Sequence, residues 1–352
     1  MFFVRFVLPK RKIMEERETR LFPFALEPVD EAAQWGTESW KLADLGYVDS
    51  KVRRGFLEGS TMSEVMETYM DRIVGDDIYY AYGRQFPVQV RQLEVTSAQP
   101  LMVCPDDEIA VERYDSLGKL KLWYVAKATA DARIHLGLRQ DLDATQFYNA
   151  CLDGSIVDCL NDVPVKKGDC FLVRPGTLHY ADKGVTIIEI AESSGLDLKV
   201  GEFLEEVFDF VNMGSEMPVL ISDSASAAAS SDGRTPLVDR TEFVATRIDL
   251  TSPLHIQDAD GGFSVYYCVS GSVSVQTPAI RENGEKYMEN LLVSEGEAVL
   301  VPADNSEFFL VPNAVSAVLI EVLGGHVERE EVEEPQLSAD DEEEGSHNKL
   351  WS

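Results

Sequence analysis

The spacing of hydrophobic residues changes near residue 86. Before that point, the clearest periodic segment is 61–75, "TMSEVMETYMDRIVG", whose apolar side chains recur every three to four residues. Thr61 or Ser63 supplies an N-cap. The pattern predicts a helix over 61–75. Residues 15–60 show no long period of either kind.

Beyond residue 86, short apolar or alternating segments follow one another, separated by Gly, Pro and Asp. Examples are "FPVQVRQLEV", "KLKLWYVA" and "GVTIIEIAE", with one helical interruption at 144–156. Residues 195–213 predict a connection that contains a helix. A small, polar segment at 222–236 precedes a second series of strands, such as "FSVYYCVSGSVSVQT" and "SAVLIEVLG". Many short strands are typical of a sandwich or a small barrel.

The two strand-rich halves repeat each other weakly. "KKGDCFLVRPGTLHY" with "GVTIIEIAE" is similar to "SEGEAVLVPADNSEF" with "SAVLIEVLG". Gly168 then aligns with Gly296, and Glu189 aligns with Glu321. A repeat of this length indicates a duplicated domain.

Composition narrows the class of protein. A chain of 352 residues predicts two domains, and a formal net charge of −31 argues against nucleic acid or an anionic membrane surface as a partner. The five cysteines contain no CxxC spacing, which predicts a reduced, cytoplasmic protein. The sequence contains no run of about 18 apolar residues, so it predicts no membrane-spanning helix. Met14 is an alternative start, because "MEERETRLFPF" is an ordinary opening.

The segment "GDCFLVRPGTLHY" resembles the second signature of the cupins, with Gly168, Gly176 and His179 at the signature positions and Arg174 in place of its first Pro. Further segments come in one order along the chain and resemble the type I phosphomannose isomerases of the short bacterial kind. They are "WG" at 35–36, "ESW" at 38–40, "FP…VR" at 86–91, "CPDDEIA" at 104–110, "GKLKLWY" at 118–124 and "IIEI" at 187–190.

This resemblance covers residues 30 to 325 and implies a mainly β fold of two cupin (jelly-roll β-barrel) domains with a few helices. It implies a first cupin at 30–195, a second at 237–325 and a connection with a low-complexity linker at 196–236. An N-terminal extension (1–29) and an acidic, disordered tail (326–352) flank them. Proteins of this family interconvert mannose 6-phosphate and fructose 6-phosphate with one zinc ion.

The resemblance also implies a zinc site, and this chain departs from it. The family's Gln position is Met102, its first His position is Cys104, and its Glu position is Lys121, whereas His179 is retained. Met102 and Cys104 are two residues apart on a strand and therefore share a face, as do Lys121 and Trp123. The positions thus match the family, while the ligands do not.

Methionine is a poor zinc ligand, and the lysine ammonium is itself a cation that accepts no hydrogen bond. The sequence therefore predicts a degenerate metal site and no cofactor, with zinc bound only if the site has been rebuilt. One alternative is a soft copper site made by Met102, Cys104 and His179. Cys104 is interpreted as a small buried residue or as a thiolate paired with Lys121.

The candidate ligand-binding residues are Arg91, Lys121, Trp123, Arg174 and His179, and Lys121 is the one catalytic candidate. The alternative is that each arginine pairs with one of the many carboxylates. "PDDE" at 105–108 is interpreted as a turn with solvated acids. The segment after residue 190 lacks the Arg of the family's "TYRLYDxxR" stretch, which puts phosphate recognition in doubt, and Glu307 replaces the signature His of the second half.

Three functional hypotheses follow. The first is a mannose-6-phosphate isomerase-like protein of carbohydrate metabolism that has lost the metal-dependent reaction, a pseudoenzyme that binds a small carbohydrate or sugar phosphate in the first cupin. The second is an active aldose–ketose isomerase that uses either a rebuilt zinc site or Lys121. The third is a protein-interaction module that acts through its acidic surface and tail. The sequence predicts no particular oligomeric state.

Overall fold

A computed structural model describes residues 20–53, 57–221, 233–257, 261–281 and 283–327. The possible start at Met14, the low-complexity segment 222–232 and the tail beyond Val327 lie outside these residues. The described strands are β1 Phe24–Glu27, β2 Val29–Ala33, β3 Gly36–Leu42, β4 Lys51–Val52, β5 Val88–Val95, β6 Met102–Val103, β7 Lys121–Ala128, β8 Arg133–Leu138, β9 Leu160–Pro164, β10 Cys170–Val173, β11 His179–Ala181, β12 Val185–Glu192, β13 Leu198–Lys199, β14 Val219–Ile221, β15 Arg234–Asp239, β16 Phe243–Leu250, β17 Leu254–Gln257, β18 Ser264–Ser270, β19 Ser272–Ile280, β20 Lys286–Ser294, β21 Ala298–Val301, β22 Glu307–Pro312 and β23 Ala317–Gly324.

The first β unit consists of two facing antiparallel sheets. One has the strand order β14-β10-β7-β12-β5-β3-β2 and the other the order β13-β6-β11-β8-β9. Alternate residues of these strands point inward, as the period of a strand requires. Their shared apolar core includes Leu93, Val125 and Ile187 from the first sheet, and Ile134 and Leu136 from the second.

The second β unit repeats this arrangement with the orders β15-β16-β23-β18-β21-β1-β4 and β17-β22-β19-β20. Its core contains Tyr266, Val299 and Leu319 from one sheet, and Val275 and Phe308 from the other. The protein is therefore mainly β, as predicted.

The helices lie beside the sheets. They are α1 Met62–Tyr69, α2 Asp71–Val74, α3 Asp76–Tyr82, α4 Asp107–Tyr114, α5 Ala144–Asp153 and α6 Leu204–Val207, with a 3₁₀ turn at Ser155–Cys159. Thr61 caps α1 and Asp143 caps α5, each in a capping box. The helix predicted at 61–75 is present as α1 and α2, with a break at Met70. The helix predicted at 144–156 is α5, which ends at Asp153 before the 3₁₀ turn.

Two segments differ from the sequence interpretation. The stretch "PDDE" at 105–108 is not a simple turn, because Asp106 accepts a hydrogen bond from the Ile109 amide and begins α4. Residues 15–60, which predicted no element, contain β1 to β4. Strand β1 lies within the predicted N-terminal extension, yet it pairs with β21 of the second unit through Phe24 and Leu300. Strands as short as these carry too few residues for a period to show.

A continuous apolar core joins the two units through α1 to α3. Phe86 and Phe263 lie at its centre with ring centroids 4.7 Å apart, and both are buried. Burial of such rings supplies much of the free energy that holds two packed units together.

Replacing Phe86 with Ala should lower the free energy of unfolding by about 3–5 kcal/mol, because it leaves a cavity in this shared core. Phe203→Ala, at a residue that is 39% exposed, is the matched comparison and should lower it by clearly less, about 1–2 kcal/mol, because this side chain buries less surface. Chemical denaturation measures both, and equal effects would contradict the packing described here.

Candidate functional site

The candidate site lies inside one end of the first β unit, where strands β5, β7 and β12 run side by side. Arg91 on β5 and Trp123 on β7 both lie opposite Glu189 on β12. Lys121 shares the inward face of β7 with Trp123, as strand parity predicts. His179 reaches the same place from the facing sheet, where it lies opposite Met102 of β6.

Six charged side chains meet here and are called the ionic cluster. They are Glu38, Arg91, Lys119, Lys121, Glu189 and Asp197. Three are cationic and three are anionic, so the cluster is balanced. All except Glu38 and Asp197 have nearly fully buried side chains. Charges this deeply buried require partners, because an unpaired buried ion costs several kcal/mol.

Asp197 is the centre of the cluster, and the sequence analysis did not identify it. Its Oδ2 accepts hydrogen bonds from Lys119 Nζ at 2.7 Å and from the Arg91 guanidinium at 2.8 Å. Its Oδ1 accepts from Lys121 Nζ and, at 3.3 Å, from the Cys104 thiol. These cations hold the pKa of Asp197 well below its usual value, although burial acts in the opposite direction.

Glu189 is the second buried carboxylate. It accepts from Arg91 Nε at 2.7 Å and from the Trp123 indole N–H at 2.8 Å, and Lys121 Nζ lies 3.8 Å away. Burial raises its pKa, but Arg91 and Lys121 outweigh burial and the net shift is downward. Glu189 therefore stays ionised and fixes the orientation of both Arg91 and Trp123.

Lys121 is fully buried and remains charged. Burial opposes its charge, but Asp197 and Glu189 outweigh this effect and raise the pKa of the ammonium. Its Nζ lies 2.8 Å from His179 Nε2. Because an ammonium only donates, His179 Nε2 must accept, and Nδ1–H of the same ring donates to the Thr177 carbonyl at 2.8 Å.

His179 is accordingly a neutral imidazole. Burial and the nearby Lys121 ammonium lower its pKa to about 3. Nε2 carries the one lone pair of this ring that could bind a metal, and it accepts a hydrogen bond from the Lys121 ammonium instead.

Cys104 and Met102 are both buried. Burial raises the pKa of the Cys104 thiol to about 12, with Lys121 acting against it, so Cys104 is a thiol and not the thiolate that the sequence analysis considered. Cys104, His179 and Asp197 do place one possible ligand atom each within 4.8 Å of one another.

These residues do not fit a zinc ion in this arrangement. Lys121 Nζ already binds two of the three possible ligand groups, and a cation cannot share that position with a metal. The third group, the Cys104 thiol, holds its proton. Zinc would require Lys121 to leave and Cys104 to ionise.

The other predicted site residue, Arg174, is not part of this cluster. Its side chain is 47% exposed and pairs with Glu216 at 3.2 Å. The other four predicted residues do come together, namely Arg91, Lys121, Trp123 and His179. Lys121 and Trp123 are two positions apart on one strand and therefore face the same way. The alternation "KLKLW" also predicts that Lys119, two residues before Lys121, faces inward with Lys121 and Trp123. Three inward cations require buried counter-ions, and this signal could have prompted a search for a further carboxylate, although it does not single out Asp197.

Comparison with known proteins shows which class of protein this chain resembles. No protein-family model matches the chain. The chain is 28% identical over 199 residues to the protein named Probable mannose-6-phosphate isomerase GmuF of Bacillus subtilis, a match that covers 51% of this chain and 61% of that protein. It is 26% identical over 245 residues to the mannose-6-phosphate isomerase of Streptococcus mutans, covering 69% and 72%.

Solved structures show the same fold. The mannose 6-phosphate isomerase from Bacillus subtilis superimposes with a TM-score of 0.72 at 20% identity, covering 86% of this chain and 99% of that one. A mutant of phosphomannose isomerase from Salmonella typhimurium gives 0.68 at 12% identity, covering 87% and 100%. The predicted resemblance to the type I phosphomannose isomerases is thereby confirmed. Within the described residues, no helix is long and apolar enough to cross a membrane.

Replacing Asp197 with Ala should lower the free energy of unfolding by about 3–5 kcal/mol, because it leaves three buried cations without their shared partner. Asp209→Ala is the matched control, since Asp209 pairs with Arg113 at the surface and an exposed pair contributes at most about 1 kcal/mol. Urea denaturation at neutral pH compares the two. A similar small loss in both variants would show that the cluster does not stabilise the fold.

Glu192 should make stability depend on pH in the opposite sense to the ionic cluster. Burial and Asp107 raise the pKa of Glu192 to about 8. A carboxyl group whose pKa is raised in the folded state destabilises the fold when it is ionised. The free energy of unfolding should therefore increase as the pH falls from about 8 towards 4.5.

Glu192→Gln keeps an acceptor for the Leu120 amide, which donates to Glu192 at 2.8 Å. The variant should be more stable than the native chain by about 4–5 kcal/mol at pH 9, and the two should come within about 1 kcal/mol near pH 5. Denaturation curves from pH 5 to 9 measure the difference. A difference that is constant with pH would contradict the raised pKa.

Proposed function

We propose that this chain is a mannose-6-phosphate isomerase-like protein of carbohydrate metabolism in which the Lys121 ammonium stands where the family carries zinc. We propose further that it does not carry out the metal-dependent isomerisation. The observation that supports this most directly is the contact of Lys121 Nζ with His179 Nε2 at 2.8 Å, together with its ion pair to Asp197.

The chemistry of the reaction explains why this substitution matters. Aldose–ketose isomerisation moves a proton through an enediolate, and a cation facing the substrate oxygens stabilises that charge. The Lys121 ammonium is completely buried and directs its N–H groups at protein acceptors. It compensates Asp197 and Glu189 and does not present its charge to a bound sugar.

Access to the site supports the same proposal. Lys121, Glu189 and His179 have no exposed surface. Asp197 and the preceding loop cover them, and Lys119 Nζ anchors that loop by donating to the Ser194 carbonyl at 2.7 Å. A sugar could contact Arg91, Trp123 or His179 in the first β unit only after the segment 194–197 had opened.

An active isomerase with a rebuilt zinc site is the second candidate. The observation that favours it is the grouping of Cys104, His179 and Asp197 within 4.8 Å, which offers three ligand types that zinc accepts. Under this hypothesis, zinc displaces Lys121 and the Cys104 proton. The third hypothesis, an interaction module, remains a prediction because the tail beyond Val327 lies outside the described residues.

The test compares the native chain with a variant in which the family's ligands are restored, Met102→Gln with Cys104→His and Lys121→Glu. Both are purified without a histidine tag, supplied with zinc, and analysed for bound metal by elemental analysis. We expect no stoichiometric zinc and no turnover of mannose 6-phosphate by the native chain. We expect about one zinc per chain in the restored variant, since it supplies the donor types that zinc prefers.

Lys127→Glu is the control, because it makes the same charge change at an exposed position of β7. It should bind no more zinc than the native chain. Turnover by the native chain that a chelator abolishes would overturn the proposal and establish the rebuilt zinc site.

A further inference from the structure

The mouth of the second β unit contains a cavity of about 1010 Å³. It lies between strands β16, β17, β18 and β23 and the helices α2 and α3. Its apolar wall includes Ile78, Val244, Ile256, Phe263 and Leu323. A cavity of this size is at the upper end of the range for small-molecule sites.

The floor of the cavity repeats one feature of the first β unit. Glu321 on β23 lies opposite Tyr266 on β18, just as Glu189 on β12 lies opposite Trp123 on β7. In both units the aromatic side chain donates a hydrogen bond to the carboxylate, here from Tyr266 OH to Glu321 Oε1 at 2.8 Å. Arg234 binds the other oxygen of Glu321.

The two units differ in what covers this carboxylate. In the first unit, Lys119, Lys121 and Asp197 occupy the space above it. In the second unit, the described lining contains no lysine, and Arg234 is the cation that binds Glu321. The buried Tyr266–Glu321 pair forms the polar floor of this cavity, and the apolar side chains named above form one of its walls.

The charge of the lining determines which ligands it favours. Among the described residues, six carboxylates line the cavity against two guanidinium groups and His326. The carboxylates are those of Asp71, Asp76, Asp77, Asp239, Asp304 and Glu321. Arg72 pairs with Asp304 at 2.9 Å, and Arg234 pairs with Glu321. The excess is negative, and a concave wall concentrates that potential. A sugar phosphate is disfavoured and a cation is favoured.

The arrangement favours an organic cation over a metal ion. In the described part of the chain, the one grouping of three or more possible metal ligands is Cys104, His179 and Asp197, which lies in the first unit. No three of the described carboxylates of the cavity therefore have oxygens within 4.8 Å of one another. They are spaced around an apolar wall, which suits an amine on an aliphatic or ring-shaped body.

We propose that this cavity binds a small organic amine, with the ammonium among the carboxylates at the mouth and the body against Ile256 and Leu323. Two kinds of molecule share this chemistry, an aliphatic polyamine and an aminated sugar. The site lies apart from the first-unit cluster, so it does not depend on whether that cluster binds zinc or supports isomerisation.

The test is calorimetric titration of the full chain with spermidine and with glucosamine. Gly262→Leu and Ile256→Phe reduce the cavity without changing the net charge. A Cβ on Gly262 would have one neighbour within 4 Å, the Val74 carbonyl oxygen at 3.8 Å, so the backbone accepts the substitution. Each variant should weaken binding of the amine at least about tenfold, because the body of the ligand loses its space.

A pair of isosteric variants separates the cavity from the general negative charge of the chain. Asp76→Asn removes one charge at the mouth, whereas Glu108→Gln removes one from the exposed surface of α4. Asp76→Asn should weaken binding about threefold, and Glu108→Gln should leave it unchanged.

Saturable binding of spermidine alone would identify the ligand body as aliphatic, and binding of glucosamine alone would identify it as a sugar. Either result supports the proposal if Gly262→Leu or Ile256→Phe weakens binding of that amine. Circular dichroism must show that the variant is folded. No saturable binding of either amine would overturn it. Equal affinity in the folded cavity variants, or equal losses in Asp76→Asn and Glu108→Gln, would also overturn it, since the amines would then follow net charge alone.

Discussion

The ion pair between Lys121 and Asp197 is the interaction on which the first β unit depends. Asp197 accepts hydrogen bonds from three buried cations and one thiol, and it draws the segment after β12 over the end of the sheets. Without it, Arg91, Lys119 and Lys121 would face one another with two carboxylates for three positive charges. Their mutual repulsion would be large in a buried environment.

A buried ionic cluster of this kind fixes the positions of its side chains more than it raises the free energy of unfolding. Buried ion pairs contribute little over apolar groups of equal volume, but removal of one partner is costly. The cluster therefore selects one position for each of its members. Lys121 is held against His179 Nε2, Trp123 is held against Glu189, and the loop containing Ser194 is held over both. In a structure built this way, a change at Lys121 requires others around it, because Asp197 and Glu189 would lose a cationic partner.

Strand periodicity predicted much of this site. The inward face of β7 followed from the alternation of Lys121, Leu122 and Trp123, and the duplication followed from the match of Glu189 with Glu321. Asp197 could not be predicted in this way, because it lies on a loop where side-chain direction has no period.

Strand β1 was missed for a related reason. Its pairing with β21 joins residues nearly the whole chain apart, and no local pattern in four residues reports such a contact. Helix α4 was missed because the N-cap Asp106 was interpreted as a turn residue, and both roles use the same side-chain chemistry.

The central claim is that an ammonium occupies the position of the family's metal. Diffraction from a crystal grown with excess zinc, recorded on both sides of the zinc absorption edge, tests it most directly. The account predicts no anomalous peak between Cys104, His179 and Asp197, with the Lys121 side chain in density against His179 Nε2. A peak at that position within about 2.0–2.3 Å of Cys104 Sγ, His179 Nε2 and an Asp197 oxygen, with Lys121 displaced, would contradict it.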